Sequence, residues 1–359
     1  MSNFPEDQPD HPLPNYPVPD HPVQDAVQAP SYDGQMAPRE ILAEGVPQAD
    51  TEPLADMESL ADMEPPAEIE PLAAEPPFTL AFAQPEPPPP PPRIPHFGHF
   101  LLLLVLLVIG FIGAIGVLLL GVHFHVYGVT SIEATKTEIH YTLGSEGLGY
   151  VFTLCLSLIV FPLLWHKSFF SGIQWNGATA IRLRWRLVSA ALLCMLLALV
   201  NSLVLPGPKH APIEDIFREP GAAWLLFAFG VTFAPFFEEM FFRGFLLPAL
   251  CTAYDWCAEK MYGAPRLPLL EDGHPQWSFP AMVTGAVVTS IPFAWMHAAQ
   301  TGYSIGPFLL LVGVSIVLCS VRLWTRSLAS STLVHASYNF MLFSIMFIGT
   351  SGFRHLDKM

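Results

Sequence analysis

The sequence predicts an all-α, polytopic transmembrane helical bundle of about seven spans behind a disordered N-terminal tail, and three observations carry that expectation. Of its 359 residues, 52% are hydrophobic and only 13% are charged, with a mean hydropathy of +0.43. A water-soluble core does not need such a balance. Apolar runs long enough to cross about 30 Å of hydrocarbon recur along the chain. Finally, the acidity is confined to one end: residues 1–95 carry 18 Asp and Glu against Arg39 and Arg93, whereas the remainder carries 13 acidic and 14 basic residues. The net charge of -15 therefore belongs to the tail and not to the membrane part.

Residues 1–95 hold 24 of the 37 prolines and few apolar runs. Such a segment cannot bury enough surface to offset its ordering entropy, so disorder is expected. It contains an imperfect repeat, Leu54–Glu58 and Leu60–Glu64, and the run Pro87–Pro92, which favours polyproline II. A solvated spacer is the simpler reading, and a docking segment for a proline-recognising partner is the other. The first long apolar run begins near Phe97, too late for a cleavable signal.

The multi-pass domain, residues 96–359, has apolar runs near 99–122, 147–166, 186–205, 221–250, 278–299, 304–324 and 328–349, which gives seven helices. Arg93, Lys167, Arg182, Arg184, Arg186, Lys260, Arg266, Arg322 and Arg326 then fall on one side, and Lys136, Lys209, Arg218, Arg354 and Lys358 on the other. The positive-inside rule places the tail in the cytoplasm and the C-terminus outside. Phe169–Arg186, with Trp175, Trp185 and three arginines, reads as an interfacial piece on the membrane surface. Residues 251–278, with Gly263, Pro265, Pro268, Gly273 and Pro275, read as the longest polar connection. The fourth run is about 45 Å long at 1.5 Å per residue and should tilt or protrude. Cys155, Cys194, Cys251, Cys257 and Cys319 lack disulfide or metal-ligand spacing and read as free apolar thiols.

Within the fourth run, Phe236-Phe237-Glu238-Glu239-Met240-Phe241-Phe242-Arg243-Gly244 puts three ionisable side chains among apolar ones. Each opposes insertion by roughly 2.5 to 3.5 kcal/mol. Glu239 and Arg243 are four apart, Glu first, the favourable order for a helical ion pair. At about 100° per residue Glu238 faces elsewhere and is not explained by that pair. The fifth run ends with Phe293 and His297 on one face, just after Pro292, and the seventh carries His335 and Asn339 four apart. Each pair alone also reads as packing or interhelical glue worth about 0.6 to 2 kcal/mol. Together the three runs supply a carboxylate, two imidazoles and an amide.

That set suffices for hydrolysis. Glu238 can take a proton from water, His297 can share that water, and His335 with Asn339 can donate to a tetrahedral oxyanion. Glu238, His297 and His335 are equally candidate ligands for a divalent metal such as zinc, with Asn a weaker one. No HExxH pair occurs. The residues leave metal-free and metal-assisted hydrolysis open.

EExxxR (Glu238, Glu239, Arg243), FxxxH (Phe293, His297) and HxxxN (His335, Asn339), in that order over about 150–345, resemble the CPBP intramembrane proteases. These include CAAX prenyl endopeptidases, bacteriocin-processing enzymes and Abi proteins. The resemblance implies an endopeptidase in the lipid bilayer acting on a membrane-anchored or prenylated (CAAX-type) peptide or protein, with no role for nucleic acid. It implies Glu238, His297, His335 and Asn339 as the catalytic set, supported by Glu239, Arg243 and Phe293. The chain departs from the family in showing seven runs where eight are often drawn, and in its acidic tail. Its last residues, Leu356–Met359, carry no CAAX cysteine. Two other classes compete: a non-catalytic peptide-binding or immunity protein on the same scaffold, and a transporter or proton channel. The absence of an inverted repeat weighs against the channel.

Overall fold

The computed structural model describes residues 91–136, 138–207, 212 and 221–353, so the tail's acidic repeat and most of its proline run lie outside the described residues. Among the described residues, seven helices are long and apolar enough to cross a membrane: α1 Phe97–His123, α2 Ile139–Trp165, α3 Arg184–Val204, α4 Ala222–Tyr262, α5 Phe279–Met296, α6 Ile305–Thr325 and α7 Leu328–Gly349. Local sequence sets several of their starts. Ser278 caps α5 by accepting from the Ala281 N–H, with Pro280 in the first turn, and Ser327 caps α7 in the same way through Ser330. α1 and α2 approach closely at Gly110, where a Cβ would lie 2.5 Å from the Thr153 hydroxyl and 2.9 Å from the Gly149 carbonyl. Only glycine permits that approach.

Of the three buried apolar clusters among the described residues, the two larger hold most of the bundle. One is aromatic, with Phe161, Trp165, Phe169 and Phe245 packed at centroid separations of 4.7 to 6.2 Å. The other joins Leu187, Ala191 and Cys194 of α3 to Val314 and Leu318 of α6 and to Val334 and Tyr338 of α7. All five cysteines are free, three of them buried.

Three sequence expectations are corrected. First, α4 does not end near residue 250. It runs for 41 residues to Tyr262, about 60 Å at 1.5 Å per residue, and the connection to α5 shrinks to Gly263–Ser278. The extension is helical because one face of it packs on the start of α5: Trp277 Nε1 donates to Thr252 Oγ1 at 3.1 Å, and Ser278 donates to Asp255 through both N–H and hydroxyl.

Second, the segment after Trp165 is more than a surface layer: Ile181 and Trp185 are exposed, but other parts of it are built into the bundle. It forms two short helices, Phe169–Gly172 and Gly177–Arg182, and buries Phe169, Ile173 and Gln174. Its backbone is stapled to the α6–α7 turn, with the Leu328 N–H on the Gln174 carbonyl at 2.9 Å and the Ser327 hydroxyl on the Asn176 carbonyl at 2.8 Å. Gln174 Oε1 also accepts from the buried Arg322 guanidinium at 2.6 Å.

Third, residues 91–95, placed by sequence in the disordered tail, are docked. Arg93 and Ile94 are buried, Arg93 pairs with Glu259 at 2.6 Å, and Arg266 donates to the Pro91 carbonyl at 3.1 Å. The start of α1, the end of α4, the α2–α3 segment and the α6–α7 turn thus share one end of the bundle, as alternating passes require.

Candidate active site

The centre of α4 is not uniformly wound. Phe229–Phe233 and Met240–Leu246 are π-helical, and the α-helical turn Ala234–Glu239 lies between them. A π turn adds a residue to the helical circuit and re-aims the side chains beyond it, a device frequent at functional sites. The two adjacent carboxylates at the end of that turn point to different surroundings.

Glu239 is sealed. Its side chain and that of Arg243 are both 0% exposed. Glu239 Oε1 accepts from Arg243 Nη1 at 2.9 Å and from His335 Nδ1 at 3.1 Å. Arg243 Nη2 continues to the Ser315 hydroxyl at 2.7 Å and the Ser315 carbonyl at 3.3 Å. The Phe293 ring lies 4.4 Å from the guanidinium carbon, a cation–π contact that roofs the pair.

Glu238 is open. Its side chain is 11% exposed, and Oε2 stands 3.8 Å from Nε2 of His297 and 3.8 Å from Nε2 of His335. These distances exceed a direct hydrogen bond, and Glu238 Oε2, like the Oε2 of Glu239, is buried without a hydrogen-bond partner among the described residues. The other ring nitrogens are already committed. His297 Nδ1 lies 2.9 Å from the Phe293 carbonyl, which can only accept, and His335 Nδ1 faces the Glu239 carboxylate. Each ring therefore spends its Nδ1 proton there, and its neutral form presents a lone pair at Nε2. Three lone pairs converge on one small volume, an arrangement that suits a water donating to two of them or a divalent cation accepting from all three.

Beside Glu238 lies a cavity of about 220 Å³ between α1, α2 and α4, lined by Leu103, Leu107, Phe111, Tyr150, Phe241 and Phe242 among others. Glu238 is its one carboxylic acid among the described lining residues. The phenylalanines flanking the Glu pair are thus in part cavity wall and not only packing.

Asn339 is not bonded to this trio. Its Nδ2 donates to the Gly230 carbonyl at 2.8 Å, tying α7 to the first π turn of α4. Among the described residues, no three His, Cys, Asp or Glu side chains are grouped closely enough to count as a ready-made metal-ligand set.

Sequence reasoning missed Glu146 and Tyr150. It began the second span at residue 147, whereas α2 begins at Ile139 and carries Glu146 into the helix. The Tyr150 hydroxyl donates to Glu146 at 2.9 Å, and its ring stacks on Phe237 at 4.7 Å, beside Glu238. Glu146 lies within the electrostatic reach of Glu238 and His297. The available signal was an acid four residues before a tyrosine at the edge of an apolar run.

A family model described as type II CAAX prenyl endopeptidase Rce1-like matches residues 220–341, from the start of α4 into α7. The matched segment is a CPBP-family domain. It covers about a third of the chain and contains all three motifs, whereas α1, α2 and α3 lie outside it. The seven helices that are apolar and long enough to cross a membrane, found among the described residues, together with this match support an integral, multi-pass membrane protein whose α4–α7 segment is similar to a CAAX protease family. No curated protein and no solved structure matches the chain.

Proposed function

We propose that the protein is an intramembrane endopeptidase that hydrolyses a membrane-anchored, CAAX-type prenylated peptide by water activated between Glu238 and the two histidines. The observation that carries this reading is the unpartnered Glu238 Oε2, 3.8 Å from both imidazole Nε2 atoms. A water seated there gives one hydrogen to Glu238 Oε2 and the other to His297 Nε2, which leaves an oxygen lone pair for the scissile carbonyl. Glu238 takes the proton as the C–O bond forms and returns it to the leaving amine as the C–N bond breaks. Asn339, fixed by Gly230, keeps its second amide hydrogen for the oxyanion, and His335 adds a donor when its Nε2 carries a proton. Glu239 and Arg243 hold the His335 ring in place. The apolar cavity beside Glu238 suits a prenyl or other hydrocarbon group. The end of the bundle that carries Arg93, Arg266 and Arg326 is the cytoplasmic one, by the excess of basic residues there.

The test uses purified full-length protein in lipid nanodiscs and a prenylated peptide ending in a CAAX sequence. Glu238→Gln should lower turnover by about 10² to 10⁴-fold, the range for a lost general base. Addition of a metal chelator should leave wild-type turnover unchanged. Retained cleavage in the Glu238→Gln protein would sink the proposal, and loss of cleavage on chelation would replace its metal-free form.

A further inference from the structure

A second and larger cavity, of about 540 Å³, lies between α5 and α6 at the end of the bundle that carries the tail junction. It falls within the roughly 300 to 1,000 Å³ of small-molecule sites. One stripe of α5, including Met282, Val283 and Val287, and one of α6, including Ile316 and Leu323, form its apolar floor. Ala286 on this floor precedes His297 by eleven residues along α5 and its cap, about 16 Å at 1.5 Å per residue. The cavity is therefore separate from the catalytic trio.

Its mouth is built differently from its floor. Trp277 and Trp324 flank it, and Arg326 is the one charged side chain among the described lining residues, which include no carboxylate. Arg326 makes no hydrogen bond or ion pair among the described residues. Its backbone sits in the left-handed region, φ 51°, at the C-cap of α6. Glycine or asparagine takes that conformation at lower cost, so the backbone alone does not call for arginine there. Gln174, also lining the mouth, is likewise left-handed at φ 56°. Behind it, Arg322 is 2% exposed, with Nε and Nη1 lacking partners, and adds positive charge with no carboxylate bonded to it.

We propose that this groove binds an anionic membrane phospholipid, its acyl chain on the α5–α6 floor and its phosphate at Arg326. The arrangement has an apolar slot for hydrocarbon, indoles at the level of the interface and an unpaired guanidinium for the headgroup. A zwitterionic lipid would bring its own cation to the one basic group, so charge complementarity selects the anionic class.

The experiment is native mass spectrometry of the full-length protein after equilibration in mixed micelles of phosphatidylglycerol and phosphatidylcholine at equal concentration. Wild type should retain phosphatidylglycerol in roughly fivefold excess, the effect expected of one basic group near a lipid surface. Arg326→Asn removes the charge while keeping a residue that tolerates the left-handed backbone, so it should fold and should bring the ratio close to one. Val287→Trp, at a position 46% exposed, fills the groove and should displace both lipids. Equal retention by wild type, an unchanged preference in Arg326→Asn, or phosphatidylglycerol still bound in Val287→Trp would each overturn the proposal. Inorganic phosphate serves as the second probe. A rise in unfolding temperature with phosphate equal to that with phosphatidylglycerol would assign the site to a free anion and not to a lipid.

Discussion

Glu238 and Glu239 are neighbours in sequence and identical in chemistry, yet α4 gives them opposite surroundings. Glu239 is bonded through one oxygen to Arg243 and His335, and Arg243 is bonded onward to Ser315. Glu238 faces a cavity and two imidazoles that are near but not bonded to it. The difference shows how a membrane helix can carry two buried acids. One has its charge met by a guanidinium 2.9 Å away; the other borders a cavity and, in the function proposed above, meets the water that does the chemistry. A single helical step of about 100° separates those fates.

The comparison breaks first at Arg243. Arg243→Ala strands the Glu239 carboxylate in the interior, and removing one partner of a buried pair costs about 3 to 5 kcal/mol. Denaturant unfolding in detergent should show that loss, with cleavage lost as a consequence. Asn339→Ala should act on the open side. If Asn339 donates to the oxyanion, kcat falls about 10² to 10³-fold with KM little changed. If it only braces the Gly230 turn, stability falls by about 1 kcal/mol and kcat is kept. The smallest effect is expected at Phe293, whose ring roofs Arg243. Phe293→Leu keeps most of the buried volume but removes the cation–π contact, so unfolding should shift by only about 1 kcal/mol.

Much of the bundle was legible because long apolar runs leave few alternatives. α1, α5, α6 and α7 begin and end within about three residues of the runs seen in sequence. The boundaries that were misread share one cause. Ile139–Glu146, Cys251–Tyr262 and Phe169–Gln174 all mix polar and apolar residues, and the last two are held by partners distant in sequence, Asp255 by Ser278 and Gln174 by Leu328.

The same division holds for the candidate site. Spacings of four residues put Glu239 with Arg243, Phe293 with His297 and His335 with Asn339 on shared helical faces. No spacing could reveal that Ser315, 72 residues away, receives the guanidinium, or that Asn339 reaches back 109 residues to Gly230. The π turns that set the aim of the carboxylates leave no local sequence mark that we recognise.

The division of labour between the two glutamates is tested most directly by measuring peptide cleavage and thermal unfolding together on Glu238→Gln and Glu239→Gln. The account expects Glu238→Gln to unfold close to wild type with cleavage abolished, and Glu239→Gln to unfold at a clearly lower temperature. Cleavage surviving in Glu238→Gln, or a Glu239→Gln protein as stable as wild type, would contradict it.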